Sequence, residues 1–172
     1  EGIILRVRPR EVSRKYRSIW LEQGSPLMHY TREQARLLGE RLPGVRVEVA
    51  MRYGQLSIGA ALDRLHAQGV RRVAVLPAYP HYSATTVASI NDAVCAWIGR
   101  NRDGFEMRLH RSFPASPAYI DALAVALEAH WEREGRPNFL AGERVVVSFH
   151  SIPVAMDQAG DPYRAECRRT VA

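Results

Sequence analysis

Apolar and polar residues alternate through "VRVEVAMRYG" from Val45 and stop at Gly54, which is the period of a half-buried strand. Behind it, Ser57 is a good helix cap, and Ile58, Leu62 and Leu65 fall on one helical face that ends at Gly69. The short apolar run in "RRVAVLPAYP" predicts a buried strand from Arg72 to Pro77. In "SATTVASINDAVCAWIGR" the apolar positions Val87, Ile90, Val94 and Ile98 return to helical spacing. A shorter strand is expected from Phe105 in "FEMRLHR". Ser116 and Pro117 then read as cap and first turn of a helix whose apolar face carries Ile120, Leu123, Leu127 and Trp131. "RVVVSFH", after Gly142, reads as another buried strand, and Asp161 with Pro162 starts a last helix. Ahead of Val45 the chain predicts two helices, about 11–22 and 31–42, joined around "QGSPLMHY".

Strand and helix alternate in units of roughly 30 residues, so the expected class is α/β. The architecture expected is a Rossmann-like, doubly wound parallel sheet with helices on both faces. No Pro/Gly/Ser-rich linker, low-complexity segment or internal repeat interrupts the 172 residues. The first strand of such a sheet would precede Glu1, which is not a natural start residue, and "DPYRAECRRTVA" stops inside a helical pattern. The chain is therefore expected to be a piece of a longer protein.

Composition changes this picture little. A hydrophobic share of 47% suits a compact core, and no apolar run reaches the roughly 20 residues of a membrane span. The net charge of +6 comes almost wholly from scattered arginines, Lys15 being the single lysine, so no nucleic-acid partner is expected. Cys95 and Cys167 form no C-x-x-C and fit a reducing cytoplasm better than a disulfide framework.

Ligands of open parallel sheets collect at the carboxyl ends of the strands. Three such ends carry unusual side chains here: Arg52 and Tyr53; Tyr79, His81 and Tyr82; and His150 in "VVVSFHSIP". Position alone leaves His150 open between an active-site imidazole and one that merely bonds a loop carbonyl. Glycine-rich phosphate loops, a G-x-S-x-G elbow and zinc-spaced histidine pairs are absent from the sequence. This argues against a nucleotide-binding domain and a serine hydrolase.

In order and spacing, "MRYG" with "SIGAALDRL", "VLPAYPHYSATTVASINDAV", and "SFHSIP" followed by "GDPYRAEC" resemble the ferrochelatase family. So does "ILRVRP…YRSIWLEQGSPL" near the start, and the likeness runs over essentially the whole chain. The resemblance implies a protein about twice as long, whose two similar Rossmann-like halves clasp a porphyrin and insert ferrous iron to make haem. On that reading residues 1–142 are most of the first half, and 143–172 are the first strand and helix of the second. The rest of the second half would hold the family's active-site glutamate, and 1–172 alone is expected to be inactive.

The resemblance makes His150 the active-site histidine, as base or as metal ligand for Fe²⁺. Tyr79 matches an aromatic of the pocket wall, and Arg52 and Tyr53 match a strand-end pair near the porphyrin. Arg6 and Arg8 resemble arginines beside the porphyrin propionates, where a guanidinium suits a carboxylate. Many members have Gln where this chain has His81, which reads as a surface residue in preference to an extra metal-approach ligand. Members with an iron–sulfur cluster place Cys where Ala84 stands, so no cluster and no permanently bound cofactor is expected, Fe²⁺ being a substrate. The function implied is a cytoplasmic ferrochelatase acting on protoporphyrin IX, with room for peripheral membrane contact. The alternatives are coproporphyrin III as substrate, a non-catalytic tetrapyrrole-binding module, or an unrelated α/β ligand-binding domain.

Overall fold

The computed structural model describes residues 16–172. The chain divides into two compact units, one running to Ser57 and the other from Ile58 to Ala172.

In the first unit, α1 spans Pro26–Arg41. Its start is earlier than the apolar spacing suggests because Pro26, whose fixed φ suits the first helical turn, follows Ser25 directly. Arg36 pairs with Glu33 and Glu40, one helical turn to either side. Of the helix expected over 11–22, residues 11–15 lie outside the described ones, and within 16–22 helix gives way after Arg17 to a turn and an isolated antiparallel bridge between Leu21 and Gly24. The alternating segment 45–50 joins no ladder among the described residues. Its continuation makes one isolated parallel bridge, Met51 to Ser57, with the Met51 N–H donating to the Leu56 carbonyl at 2.6 Å.

The second unit opens with α2 (Ile58–Ala67), which buries Ile58, Ala61 and Leu62. Strand β1 (Arg72–Val75) follows, then a π-helical turn, Ala84–Ala88, running into α3 (Ser89–Arg100). Strand β2 (Glu106–Leu109) lies parallel to β1, with Arg72 opposite Glu106 and Val75 opposite Leu109. A helical crossover between parallel neighbours is the βαβ arrangement that the alternation predicts. The element order is completed by α4 (Pro117–Glu134), a 3₁₀ turn at Phe139–Ala141, α5 (Val154–Gln158) and α6 (Tyr163–Val171).

The core of this unit lies where α2 meets α3. Val87, Val94 and Trp97 are fully buried, whereas Ile98, expected on the same face, stays partly exposed. Trp97 takes the inward place because its ring stacks on Phe105 at 4.9 Å and its indole N–H donates to Asp63 on α2 at 2.7 Å. Gly104 leaves the space this requires: a Cβ there would stand 3.0 Å from the Asn101 carbonyl oxygen and 3.2 Å from the indole.

Among the described residues the sheet has two strands, and "RVVVSFH" is not one of them. Val146 and Val147 are exposed, and the apolar stripe of α4 contributes no buried residue. Apolar patterning marks both segments for cover, but a strand exists only with a hydrogen-bonded neighbour, which these residues do not meet here. None of the described helices is long and apolar enough to cross a membrane.

Candidate active site

Parallel strands end where their helical crossovers begin, so the loops beyond the carboxyl ends of β1 and β2 run side by side. The His110 N–H donates to the Val75 carbonyl at 3.0 Å, and the Phe113 N–H to the Pro80 carbonyl at 2.8 Å. The first of these loops carries Tyr79, His81, Tyr82 and Ser83. Ser83 caps the π-helical turn, its Oγ accepting the Thr85 N–H.

Helix α6 closes over these loops with one face. Tyr163, Glu166, Cys167 and Thr170 are spaced three and four apart, which aligns them along the helix. Glu166 is only 6% exposed. Its Oε2 accepts the Tyr82 N–H at 2.7 Å and its Oε1 the Ser112 hydroxyl at 3.0 Å, so each oxygen of the buried carboxylate is satisfied. Just ahead of the helix, Asp161 Oδ2 accepts the Ser83 hydroxyl at 3.0 Å and the Ala84 N–H at 2.8 Å, while Oδ1 accepts the Tyr163 N–H at 3.0 Å. Burial opposes ionisation of Asp161. The N–H groups of Ala84 and Tyr163, the Ser83 hydroxyl and the charge of Arg111 outweigh it and hold the carboxyl below its ordinary range. Arg111 also lies over the Tyr82 ring, 4.0 Å from its centroid.

His81 is 8% exposed, so the expectation of a surface residue is overturned. Its ring is edge-on to Phe149, Tyr163 and Tyr119, at 5.3, 5.8 and 6.4 Å between centroids. Its Nε2 lies 2.7 Å from Thr170 Oγ1, and that hydroxyl donates to the Pro114 carbonyl at 2.8 Å. A hydroxyl has one proton to give, so Thr170 accepts from His81, and the His81 proton sits on Nε2. That nitrogen is committed and offers no lone pair to a metal. Burial lowers the basicity of the ring, against the opposing charge of Glu166.

His150 has the opposite arrangement. It is exposed, and its Nδ1 lies 2.7 Å from the Ser151 carbonyl oxygen. A carbonyl only accepts, so Nδ1 carries the hydrogen and the neutral ring keeps its lone pair on Nε2. An imidazole oriented in this way can take up a proton or ligate a borderline metal ion. Beneath it, burial and the neighbouring Cys167 push the Tyr163 hydroxyl up, while the His150 main-chain N–H pulls the other way.

Of the residues singled out from sequence, Tyr79 and His150 lie in the second unit, and Tyr79 is half-exposed in the same loop as His81. Arg52 and Tyr53 belong to the first unit, where the guanidinium lies 4.8 Å from the centre of the largely exposed Tyr53 ring. Arg6 and Arg8 lie outside the described residues. Sequence reasoning did not single out Phe149, Asp161, Glu166 or Thr170 as site residues. Asp161 was visible only as a helix start before Pro162, and Glu166 and Thr170 look like ordinary polar positions on a short helix. Among the described residues no group of three or more His, Cys, Asp or Glu could hold a metal ion.

The family model described as Ferrochelatase matches residues 1–172. A ferrochelatase of Methylibium petroleiphilum is 47% identical over 98% of this chain and 46% of its own length. A ferrochelatase of Stenotrophomonas maltophilia is 43% identical over 96% of this chain and 50% of its own length. A coproporphyrin III ferrochelatase of Symbiobacterium thermophilum is 44% identical over 98% of this chain and 52% of its own length. The chain thus spans about half the length of the curated relatives it matches.

Proposed function

Because this chain belongs to the ferrochelatase family, we propose that it is part of a metal chelatase that inserts Fe²⁺ into protoporphyrin IX. The observation that carries the reading is the His150 imidazole, tied through Nδ1–H to the Ser151 carbonyl and left with its lone pair on Nε2. Metallation releases two pyrrole protons as the metal enters the ring. The reaction therefore needs a group that accepts a proton near neutral pH or that holds Fe²⁺ as its waters leave, and a neutral imidazole does either. Tyr79, Arg52 and Tyr53 would line the porphyrin, and Arg6 and Arg8 would meet its propionates with two parallel N–H donors each.

In this reading residues 1–142 form most of one Rossmann-like half of a doubly wound fold, and 143–172 begin the second half. Ala84 stands where the cluster-bearing members have Cys, so the protein works without an iron–sulfur cluster, in the cytoplasm. Coproporphyrin III is the second reading for the substrate, favoured by the relative of that name at 44% identity. The test is anaerobic iron insertion by the full-length protein with each porphyrin in turn, wild type against His150→Ala. Loss of insertion with an unchanged circular dichroism spectrum is expected, because an exposed ring contributes little to the fold. Near-normal turnover in the variant would remove His150 from the chemistry.

A further inference from the structure

His150 is exposed and makes one side-chain hydrogen bond among those described, to the next residue's carbonyl. One local bond does not by itself orient a ring, because the peptide that carries it must also be held. The His150 main-chain N–H faces the Tyr163 hydroxyl, and the residue before it supplies a second hold. The Phe149 ring is partly buried and stands edge-on to the buried His81 ring, 5.3 Å between centroids and 86° between planes. His81 cannot turn to follow Phe149. Its Nε2–H is given to Thr170, and Thr170 gives its own proton to Pro114. Tyr163 and Tyr119 close two further sides of the ring. Thr170 sits on α6, which Glu166 fastens to Tyr82 and Ser112. A continuous series of contacts therefore runs from Pro114 through Thr170, His81 and Phe149 to the residue that presents Nε2.

The geometry points to His81 as a positioning residue for His150, acting through Phe149, with Thr170 fixing the His81 ring. The inference rests on the reading of His150 as the reacting imidazole. His81 makes no contact with substrate in it, and both its proton and its ring edge are already committed. Its effect on His150 is steric: it fixes the Phe149 ring, hence the main chain at 149–151, hence the Nδ1–H to Ser151 bond that keeps the lone pair on Nε2.

The experiment uses the full-length protein with three variants: Thr170→Val, His81→Gln and His150→Ala. Thr170→Val preserves volume and removes the acceptor for His81, which avoids emptying a buried site. His81→Gln returns an N–H donor at a similar reach. The readouts are kcat and KM for anaerobic iron insertion, thermal midpoint, and the ¹⁵N signals of the His150 ring, which report which nitrogen carries the proton. Thr170→Val is expected to lower kcat by up to about tenfold, the low end of the effect of removing a direct partner of a ligand residue, because Thr170 acts through His81 and Phe149. KM should change little, and His150 should shift from the Nδ1–H form to a mixture. His81→Gln should stay closer to wild type in both respects.

Unchanged His150 signals and kcat in Thr170→Val, with His150→Ala inactive, would overturn the positioning role and leave the reading of His150 standing. Full activity in His150→Ala would overturn that reading, and the ring signals would still decide whether His81 orients His150. A fall in activity that tracks thermal midpoint, with the His150 signals unmoved, would assign His81 to stability alone and overturn the inference.

Discussion

The Asp161 carboxylate joins the start of α6 to the turn that follows β1, and its removal has a calculable local effect. Oδ2 receives two donors, the Ser83 hydroxyl and the Ala84 N–H, and Oδ1 receives the Tyr163 N–H. Asp161→Ala loses all three bonds. Asp161→Asn keeps one oxygen, which can serve the Ser83–Ala84 side only by turning its NH₂ toward the Tyr163 N–H. Bonds to a charged acceptor contribute roughly 1.5–3 kcal/mol each, and the low end applies because Ala84 is exposed. About 1.5 kcal/mol at the Ala84 amide corresponds to about tenfold faster hydrogen exchange when it opens locally. The Tyr82 amide is an internal control, because it is held by Glu166 and not by Asp161. Exchange of both amides, followed by NMR in wild type, Asp161→Asn and Asp161→Ala, should show Ala84 accelerating and Tyr82 nearly constant. An unchanged Ala84 rate in Asp161→Ala would refute the weight given to that bond. Equal acceleration at both amides would refute the independence of the two carboxylates and make α6 a single opening unit.

Trp97→Ala should destabilise the second unit by roughly 3–5 kcal/mol in urea unfolding followed by circular dichroism, as emptying a fully buried aromatic site does. Trp97→Phe should cost roughly 1–2 kcal/mol, mainly from the donor lost to Asp63, and equal midpoints for the two variants would contradict the stacked-core assignment. Acid should weaken the fold through two groups with the same sign. Asp161 has its carboxyl lowered in the folded chain, so its contribution is complete above about pH 4 and is lost as pH falls through the lowered value. His81 is a base whose folded-state affinity for protons is lowered by burial, so the unfolded chain binds the extra proton first. Stability is then lost as pH falls below about 6.5. Denaturation midpoints measured from pH 7 to 3 should fall less steeply for His81→Gln in the upper part of that range and for Asp161→Asn in the lower part. Curves parallel to wild type would contradict both assignments.

What the sequence disclosed divides along the range of the interactions involved. The ends of α2 and α4 follow from Ser57, Gly69, Ser116 and Pro117, whose conformational preferences act over one turn. Strands β1 and β2 were visible as short apolar runs, and their parallel pairing follows from the helix between them. The segments 45–50 and "RVVVSFH" carry the same kind of pattern but no ladder among the described residues, since alternation specifies a face and not a neighbour. Ile98 and Trp97 lie on adjacent flanks of one helix, and the choice between them was made by Asp63 and Phe105, residues far enough away that periodicity does not register them. His150 stands out as a candidate in the sequence because it terminates an apolar run, whereas its tautomer does not, because that depends on which way the Ser151 carbonyl points.

His81 shows why a polar residue in a loop is the hardest case. The apolar runs on either side mark a strand and a helix face but say nothing of the loop between them, and the neighbours Pro80 and Tyr82 suit an exposed turn as well as a covered one. Its cover comes from Tyr119, Phe149 and α6, the last some ninety positions later, whose Thr170 accepts its proton. The same helix brings a second carboxylate, Glu166, which is tolerated at 6% exposure only because the Tyr82 N–H and the Ser112 hydroxyl point at it. A buried carboxylate without those donors would cost several kcal/mol, so the helix docks in the one register that satisfies them. Apolar contacts of α6 alone would tolerate a slide or rotation, for little of it besides Cys167 is both apolar and buried. The polar set therefore specifies where α6 sits, and through Thr170 and His81 that placement reaches the residue beside His150. The order of dependence runs from the chain's last described helix back to its candidate catalytic group, opposite to the order in which a reader of the sequence meets them.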